Sequence, residues 1–164
     1  MAVHVTATVD ISMDDNTLPS PKAQRPDRPS LTCILPAYNE AENLGRLIPE
    51  LTAYLQRFSD HIELLVIDDG SRDATVAVAA ALVDEYPVTV LQLSRNVGKE
   101  AALSAGIDHA EGDVVLLMDA DGQHPLETVD QFFHHWRQGY DMVFGVRDNR
   151  ADESAAKRHL TNLF

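Results

Sequence analysis

LTCILPAYNEAENLGRLIPELTAYLQRFSDHIELLVIDDG, residues 31–70, reads as a strand, a helix and a second strand in succession. Leu31-Thr32-Cys33-Ile34-Leu35 is a short apolar run, and Ile62 to Ile67 is another. Between them Leu44, Leu47, Ile48, Leu51, Leu55 and Phe58 recur at helical spacing, which gives one apolar stripe along an amphipathic helix. Asn39, with Glu42 three residues on, has the form of a capping box at the start of that helix. Strand runs that are apolar on both faces belong inside a sheet covered on both sides.

The same order repeats outward along the chain. Further apolar runs lie at Val88 to Leu93, Val114 to Met118 and Met142 to Val146. Helical patterns are expected at about 72–85, 99–110, 126–138 and 153–164, the second of these rich in Ala101, Ala102, Leu103, Ala105 and Ile107. Strands alternating with helices predict an α/β fold, a Rossmann-like, mainly parallel sheet with helices on both faces. In such a sheet a nucleotide or other ligand belongs at the carboxyl ends of the strands.

The polar motifs fall at those ends. Pro36-Ala37-Tyr38-Asn39-Glu40 follows the first run, Asp68-Asp69-Gly70-Ser71 the second, Ser94-Arg95-Asn96-Val97-Gly98-Lys99 the third, and Asp119-Ala120-Asp121 the fourth. Turns and helix caps also draw Gly, Asn, Asp and Ser to such places, but they do not call for paired aspartates at two strand ends. A lone D-x-D triplet is weak, since the 17 aspartates of this chain produce roughly one or two by chance. Its place directly after a buried strand carries the argument: two carboxylates there hold a divalent cation whose remaining partners are phosphate oxygens. Asp119 and Asp121 point to one side if strand geometry persists, and Gln123 adds a neutral oxygen at the next alternate position. These three form the expected metal site, with Mg2+ or Mn2+ as the ion because every donor is oxygen. His124 is either a further ligand or a structural or acceptor-side residue. Asp68 and Asp69 cannot both face one way from an extended chain; Asp69 is expected toward ligand, and Asp68 toward backbone. Ser71 and Asp73 are expected to cap the next helix.

Taken together, these four motifs, with Glu100-Ala101-Ala102-Leu103 after Lys99 and Gly122-Gln123-His124-Pro125 after Asp121, resemble the family 2 glycosyltransferases of the GT-A fold. The nearest subgroup is the bacterial polyprenyl-phosphate glycosyltransferases, relatives of dolichyl-phosphate mannose synthase. The resemblance covers residues 31–164 and implies a metal-dependent, inverting transfer of a sugar from a nucleotide sugar to a polyprenyl phosphate in cell-envelope synthesis. It implies that Pro36 and Tyr38 flank the base, that Asp69 accepts a hydrogen bond from a pyrimidine ring N–H, and that Glu40, Lys99 and Asp119 complete the donor site. Asp121, Arg147 and Arg158 are then the catalytic set, the two arginines holding the acceptor phosphate through paired donors. Asn96 to Leu103 looks most like the glucosyl subgroup, so UDP-glucose is the first expected donor. Many relatives carry Leu where Gly122 stands and Pro where Leu126 stands, which bears on the stiffness of the loop and leaves the carboxylates intact. The subgroup usually continues into interfacial and transmembrane helices, so the chain is expected to be a truncated catalytic domain that meets the membrane through a missing C-terminal part.

Residues 1–30 differ in character. They hold Pro19, Pro21, Pro26 and Pro29, half of the chain's eight prolines, and are expected to form a disordered leader. Met1-Ala2-Val3-His4 lacks the basic stretch and apolar run of a secretory signal, which predicts a domain on the cytoplasmic face of the membrane. Residues 31–164 are expected as a single GT-A domain, a length that buries roughly two thirds of the unfolded chain's surface. The formal net charge of -13 argues against a nucleic-acid partner. No apolar run reaches the length of a membrane span. Cys33, the sole cysteine, is expected in the core.

Other readings are weaker. Ser94 to Lys99 lacks the leading Gly and the following Ser or Thr of a Walker A loop, and no G-x-G-x-x-G occurs. A haloacid-dehalogenase-type phosphatase places its aspartates after the first strand of its sheet, not the fourth. Two alternatives stay open: a family 2 transferase with a hydroxyl acceptor such as a polysaccharide, which needs a carboxylate base, and a donor-binding fragment without turnover.

Overall fold

The structure is a computed structural model that describes residues 3–8, 25–123 and 125–147. Its elements in chain order are β1 (Val3–Thr8), β2 (Leu31–Ala37), α1 (Ala41–Leu55), β3 (Ile62–Asp68), α2 (Thr75–Ala81), β4 (Val88–Gln92), α3 (Lys99–His109), β5 (Val114–Leu117), α4 (Glu127–Arg137) and β6 (Met142–Arg147). Two compact units are distinguished, where a single domain from residue 31 was expected. The larger runs Ala23–Leu126, and the smaller contains β1, α4 and β6.

In the larger unit four parallel strands stand in the order β4-β3-β2-β5. The α/β expectation holds, and the reason is visible residue by residue. Cys33, Ile34, Leu35, Leu64, Val66 and Ile67 are all fully buried, so both faces of β2 and β3 are covered, as continuous apolar runs require. On one face Ile34, Leu65 and Ile67 form a cluster with Ala102 of α3, and Leu91, Leu93 and Leu103 pack against it. The apolar stripe of α1 is buried at Leu44, Leu47, Ile48, Leu51 and Leu55. A parallel strand-helix-strand crossover is right-handed. Strand succession therefore runs outward from β2 through β3 to β4, then returns by α3 to β5 on the other side of β2, which sends α3 to the face opposite α1 and α2. The order reverses between β2 and β5, the kind of switch point at which open α/β sheets place their ligands.

Two glycines fit these close approaches. An added Cβ at Gly106 would lie 2.5 Å from Ile34 Cγ2, so α3 lies on the sheet without a side chain between them. Gly70 has φ +68, and its added Cβ would meet the backbone of Arg95 and Asn96 at 2.5 Å; glycine alone satisfies both demands.

Several expectations are corrected. Val3–Thr8 lies in the stretch expected to be a leader without strands, yet it pairs antiparallel with β6, from Val3 with Arg147 to Thr8 with Met142. Its alternation of Val3, Val5 and Ala7 with His4, Thr6 and Thr8 is a strand period that the proline-rich remainder obscures. Residues 25–30 are likewise bound into the larger unit. Arg28 Nε donates to Asp60 Oδ2 (2.8 Å) and its Nη2 to Gln56 O (2.7 Å), closing the carboxyl end of α1, and Ser30 Oγ donates to Asp113 Oδ2 (2.6 Å). On β5, Val115 and Leu117 are exposed, because this strand is an edge of the four-stranded sheet and only its alternate residue Leu116 is buried. Expected at 72–85, α2 is confined to Thr75–Ala81, with turns continuing to Tyr86. The helix expected at 153–164 lies outside the described residues, as do His124 and Arg158.

Candidate functional site

Four loops leave the carboxyl ends of the parallel strands and are tied to one another by polar contacts. After β2, Asn39 takes the left-handed conformation with φ 58, which asparagine tolerates better than most residues. The expected capping box does not form: Glu40 is the N-cap residue of α1 and makes no side-chain cap. The loop after β3 does that work instead. Ala41 N donates to Asp73 Oδ2 (3.3 Å), Glu40 N to Thr75 Oγ1 (2.9 Å) and Asn39 N to Ser71 Oγ (2.9 Å), while Arg72 N donates back to Asn39 Oδ1 (2.9 Å). Ser71 and Asp73 thus clasp the neighbouring loop. Asp73 also accepts from Thr75 N (2.9 Å) at the start of α2. The hydrogen bond from the Thr75 hydroxyl, helped by the backbone N–H groups of Thr75 and Ala41, holds its carboxyl below the usual aspartate range.

The adjacent aspartates divide their roles. Asp68, fully buried, accepts from Ser71 N (3.2 Å), a backbone role as expected. Asp69 is 4% exposed, and its two oxygens accept from Val97 N (2.7 Å) and Gly98 N (2.9 Å). It therefore holds the loop after β4, a backbone role that the sequence did not indicate for it. Each carboxylate oxygen has a second lone pair, so a ligand N–H remains acceptable to it. Pro36 lies within β2, partnered with Ile67 in register, and Tyr38 is 40% exposed just beyond the strand. Glu40 Oε2 accepts from Asn43 Nδ2 (2.6 Å).

Beyond β5 the strand geometry stops at Leu117 and a turn begins at Ala120. Asp119 is paired with Lys99, whose ammonium meets Oδ1. Asp121 Oδ1 accepts from Gln123 N (2.9 Å), an Asx-type turn in which Gly122 has φ 67. Asp119 thus precedes the turn, Asp121 lies in it and Gln123 follows it, so the strand alternation expected to align their side chains does not apply. Among the described residues, no group of three or more His, Cys, Asp and Glu side chains could hold a metal ion. Two carboxylates and a neutral amide are nonetheless hard oxygen donors, and the Lys99 ammonium marks the place where positive charge is drawn to Asp119. Such a set fits a cation whose shell is completed by ligand oxygens better than a permanently resident metal.

One candidate escaped sequence reasoning. Arg46 on α1 brings Nη2 within 3.3 Å of where a Cβ would stand on Gly122, beside the acidic turn. Its only signal is a position off the apolar stripe of its helix. Arg147 ends β6 in the smaller unit, its backbone in register with Val3.

A mainly parallel sheet with an acidic turn at its reversal point is the architecture of the GT-A glycosyltransferases. Mannosyltransferase PcManGT from Pyrobaculum calidifontis, solved in complex with GDP-Man and Mn2+, superposes with a TM-score of 0.52 at 31% identity, over 63% of this chain and 31% of that one. Residues 32–163 match glycosyl transferase family 2, and the chain belongs to that family. It is 38% identical over 135 residues to an undecaprenyl-phosphate 4-deoxy-4-formamido-L-arabinose transferase of Pseudomonas fluorescens, covering 81% of this chain and 40% of the relative. It is 35% identical over 135 residues to a prophage bactoprenol glucosyl transferase homolog of Escherichia coli, covering 82% of this chain and 44% of the relative. The chain thus spans less than half the length of these curated relatives. No helix among the described residues is long and apolar enough to cross a membrane.

Proposed function

We propose that the chain carries the catalytic domain of an inverting, metal-dependent glycosyltransferase that moves a sugar, with UDP-glucose as the first candidate donor, to a polyprenyl phosphate. The observation that carries this reading is the meeting of Lys99 with Asp119 at the strand ends, beside the loops that hold Tyr38 and Asp69. A cationic and an anionic group at one rim suit a diphosphate and its counter-ion, and an exposed aromatic nearby suits a base. The activities of the relatives, sugar transfer to bactoprenol or undecaprenyl phosphate, support the acceptor class.

In this reading Pro36 and Tyr38 form the bed for the base, Asp69 accepts its ring N–H, and Glu40 serves the polar edge of the nucleoside. Asp119, Asp121 and Gln123 hold Mg2+ or Mn2+, which when bound neutralises charge on the departing diphosphate. Lys99 adds a further positive charge there. The acceptor phosphate is already ionised at neutral pH and needs positioning instead of a base, a task assigned to Arg147 and Arg158. One acceptor phosphate oxygen bonds to the anomeric carbon as the bond from that carbon to the diphosphate breaks, with inversion. A lipid acceptor places the reaction at a membrane surface, here the cytoplasmic face. Release of nucleoside diphosphate from a panel of nucleotide sugars, with and without manganese and a short polyprenyl phosphate, tests the proposal. Release that requires both additions is the expected result. Release driven by a polysaccharide hydroxyl and indifferent to lipid phosphate would replace it with the hydroxyl-acceptor reading.

A further inference from the structure

Lys99 opens α3, and the backbone leading into it is held from below. Asp69, nearly buried, takes the N–H groups of Val97 and Gly98 on its two oxygens at 2.7 and 2.9 Å. Gly70 adds a second restraint, since the backbone of Arg95 and Asn96 passes where its Cβ would stand. The attachment point of Lys99 is therefore fixed, whereas its side chain is 55% exposed and reaches Asp119, itself 29% exposed, through a flexible four-carbon stem. An ion pair this open contributes little to stability, so its partners are free to exchange.

From this, the geometry points to Lys99 as a displaceable counter-ion that couples the entry of the cation to the entry of the nucleotide. Without donor the ammonium neutralises Asp119 and competes with a divalent ion for it. When a nucleoside diphosphate arrives, the ammonium passes to a phosphate oxygen and frees the carboxylate for the cation. Each of the two, ion and nucleotide, then favours the binding of the other. This inference rests on the nucleotide-sugar reading above and adds to it an order of events and the residue that enforces it.

The test measures Mn2+ binding to the 164-residue chain by loss of the free-ion electron paramagnetic resonance signal, with and without UDP, for the native protein, Lys99→Met and Lys99→Arg. Circular dichroism checks that each variant is folded, and Lys99→Gln replaces Lys99→Met if it is not. Native protein is expected to bind Mn2+ weakly alone and more tightly with UDP. Removing the competing charge in Lys99→Met tightens Mn2+ alone by about two- to fivefold and, because the affinity with UDP bound is unchanged, shrinks the gain from UDP by the same factor. Lys99→Arg keeps the native pattern in part. Native coupling between Mn2+ and UDP that persists unchanged in Lys99→Met, with no tightening for Mn2+ alone, overturns this inference and leaves the donor site standing. A native protein whose Mn2+ affinity is indifferent to UDP overturns both.

Discussion

Asp69, Asp73 and Asp121 each spend carboxylate oxygens on backbone N–H groups, and the consequences differ with burial. Asp69→Asn turns one acceptor into an amide donor facing a backbone N–H, leaving a buried donor unsatisfied at a cost of about 1–3 kcal/mol; urea unfolding reads the loss. Asp121 is only partly buried and holds one local turn bond. Asp121→Ala is therefore expected to leave the circular dichroism spectrum intact while transfer falls by about 100-fold or more. Turnover at the native rate would remove Asp121 from the mechanism. Asp73 tests the sign of a pH effect. Its folded pKa lies below the ordinary value, so its contribution is present above the unfolded aspartate pKa and fades as pH falls through the lower folded one. The stability gap between native protein and Asp73→Asn should accordingly narrow as the solution is acidified from neutral pH, and a constant gap would refute the role of its hydrogen bonds. The types of residue at the rim were legible in the sequence because paired aspartates stand at strand ends. Their partners were not: Asn39 with Glu42 spelled a capping box, yet Asn39 bonds to Ser71 and Arg72, contacts that no local pattern encodes.

At the scale of elements, α3 lies so close to β2 and β3 that an added methyl on Gly106 would strike Ile34 and approach Ile67. Gly106→Ala gains helix propensity but must push the helix off the sheet, and the net effect is expected to be a loss of about 1–3 kcal/mol in chemical denaturation; unchanged or higher stability would show that the packing gives way cheaply. The alternation of strands and helices was readable because both faces of the inner strands are apolar and the stripe of α1 is regular. β5 read as equally buried, since composition alone does not say which strand stands at an edge. β1 was missed because its partner, β6, is remote in sequence, and a short strand has little signal until a partner supplies its hydrogen bonds. Nor does the sequence pattern state the strand order; only the observed register places β5 beside β2 and thereby sets the switch point there.

For the molecule as a whole, Cys33 reports on the central sheet. It is fully buried in β2, and burial pushes its thiol pKa well up, so it should react with a thiol reagent only through global opening. Its labelling rate is expected to follow the unfolding free energy across a denaturant series, whereas fast labelling in native buffer would mean that β2 opens locally. The proposed transfer depends on one arrangement, the acidic turn after β5 gripping a cation shared with the donor's diphosphate. Crystals of the protein soaked with manganese and UDP, measured for anomalous scattering at the manganese edge, test it most directly. A manganese peak bonded to Asp119 and Asp121 and to diphosphate oxygens is expected, with the Lys99 ammonium moved off Asp119. Nucleotide seated elsewhere, or an acidic turn without manganese in crystals that do bind UDP, would contradict it.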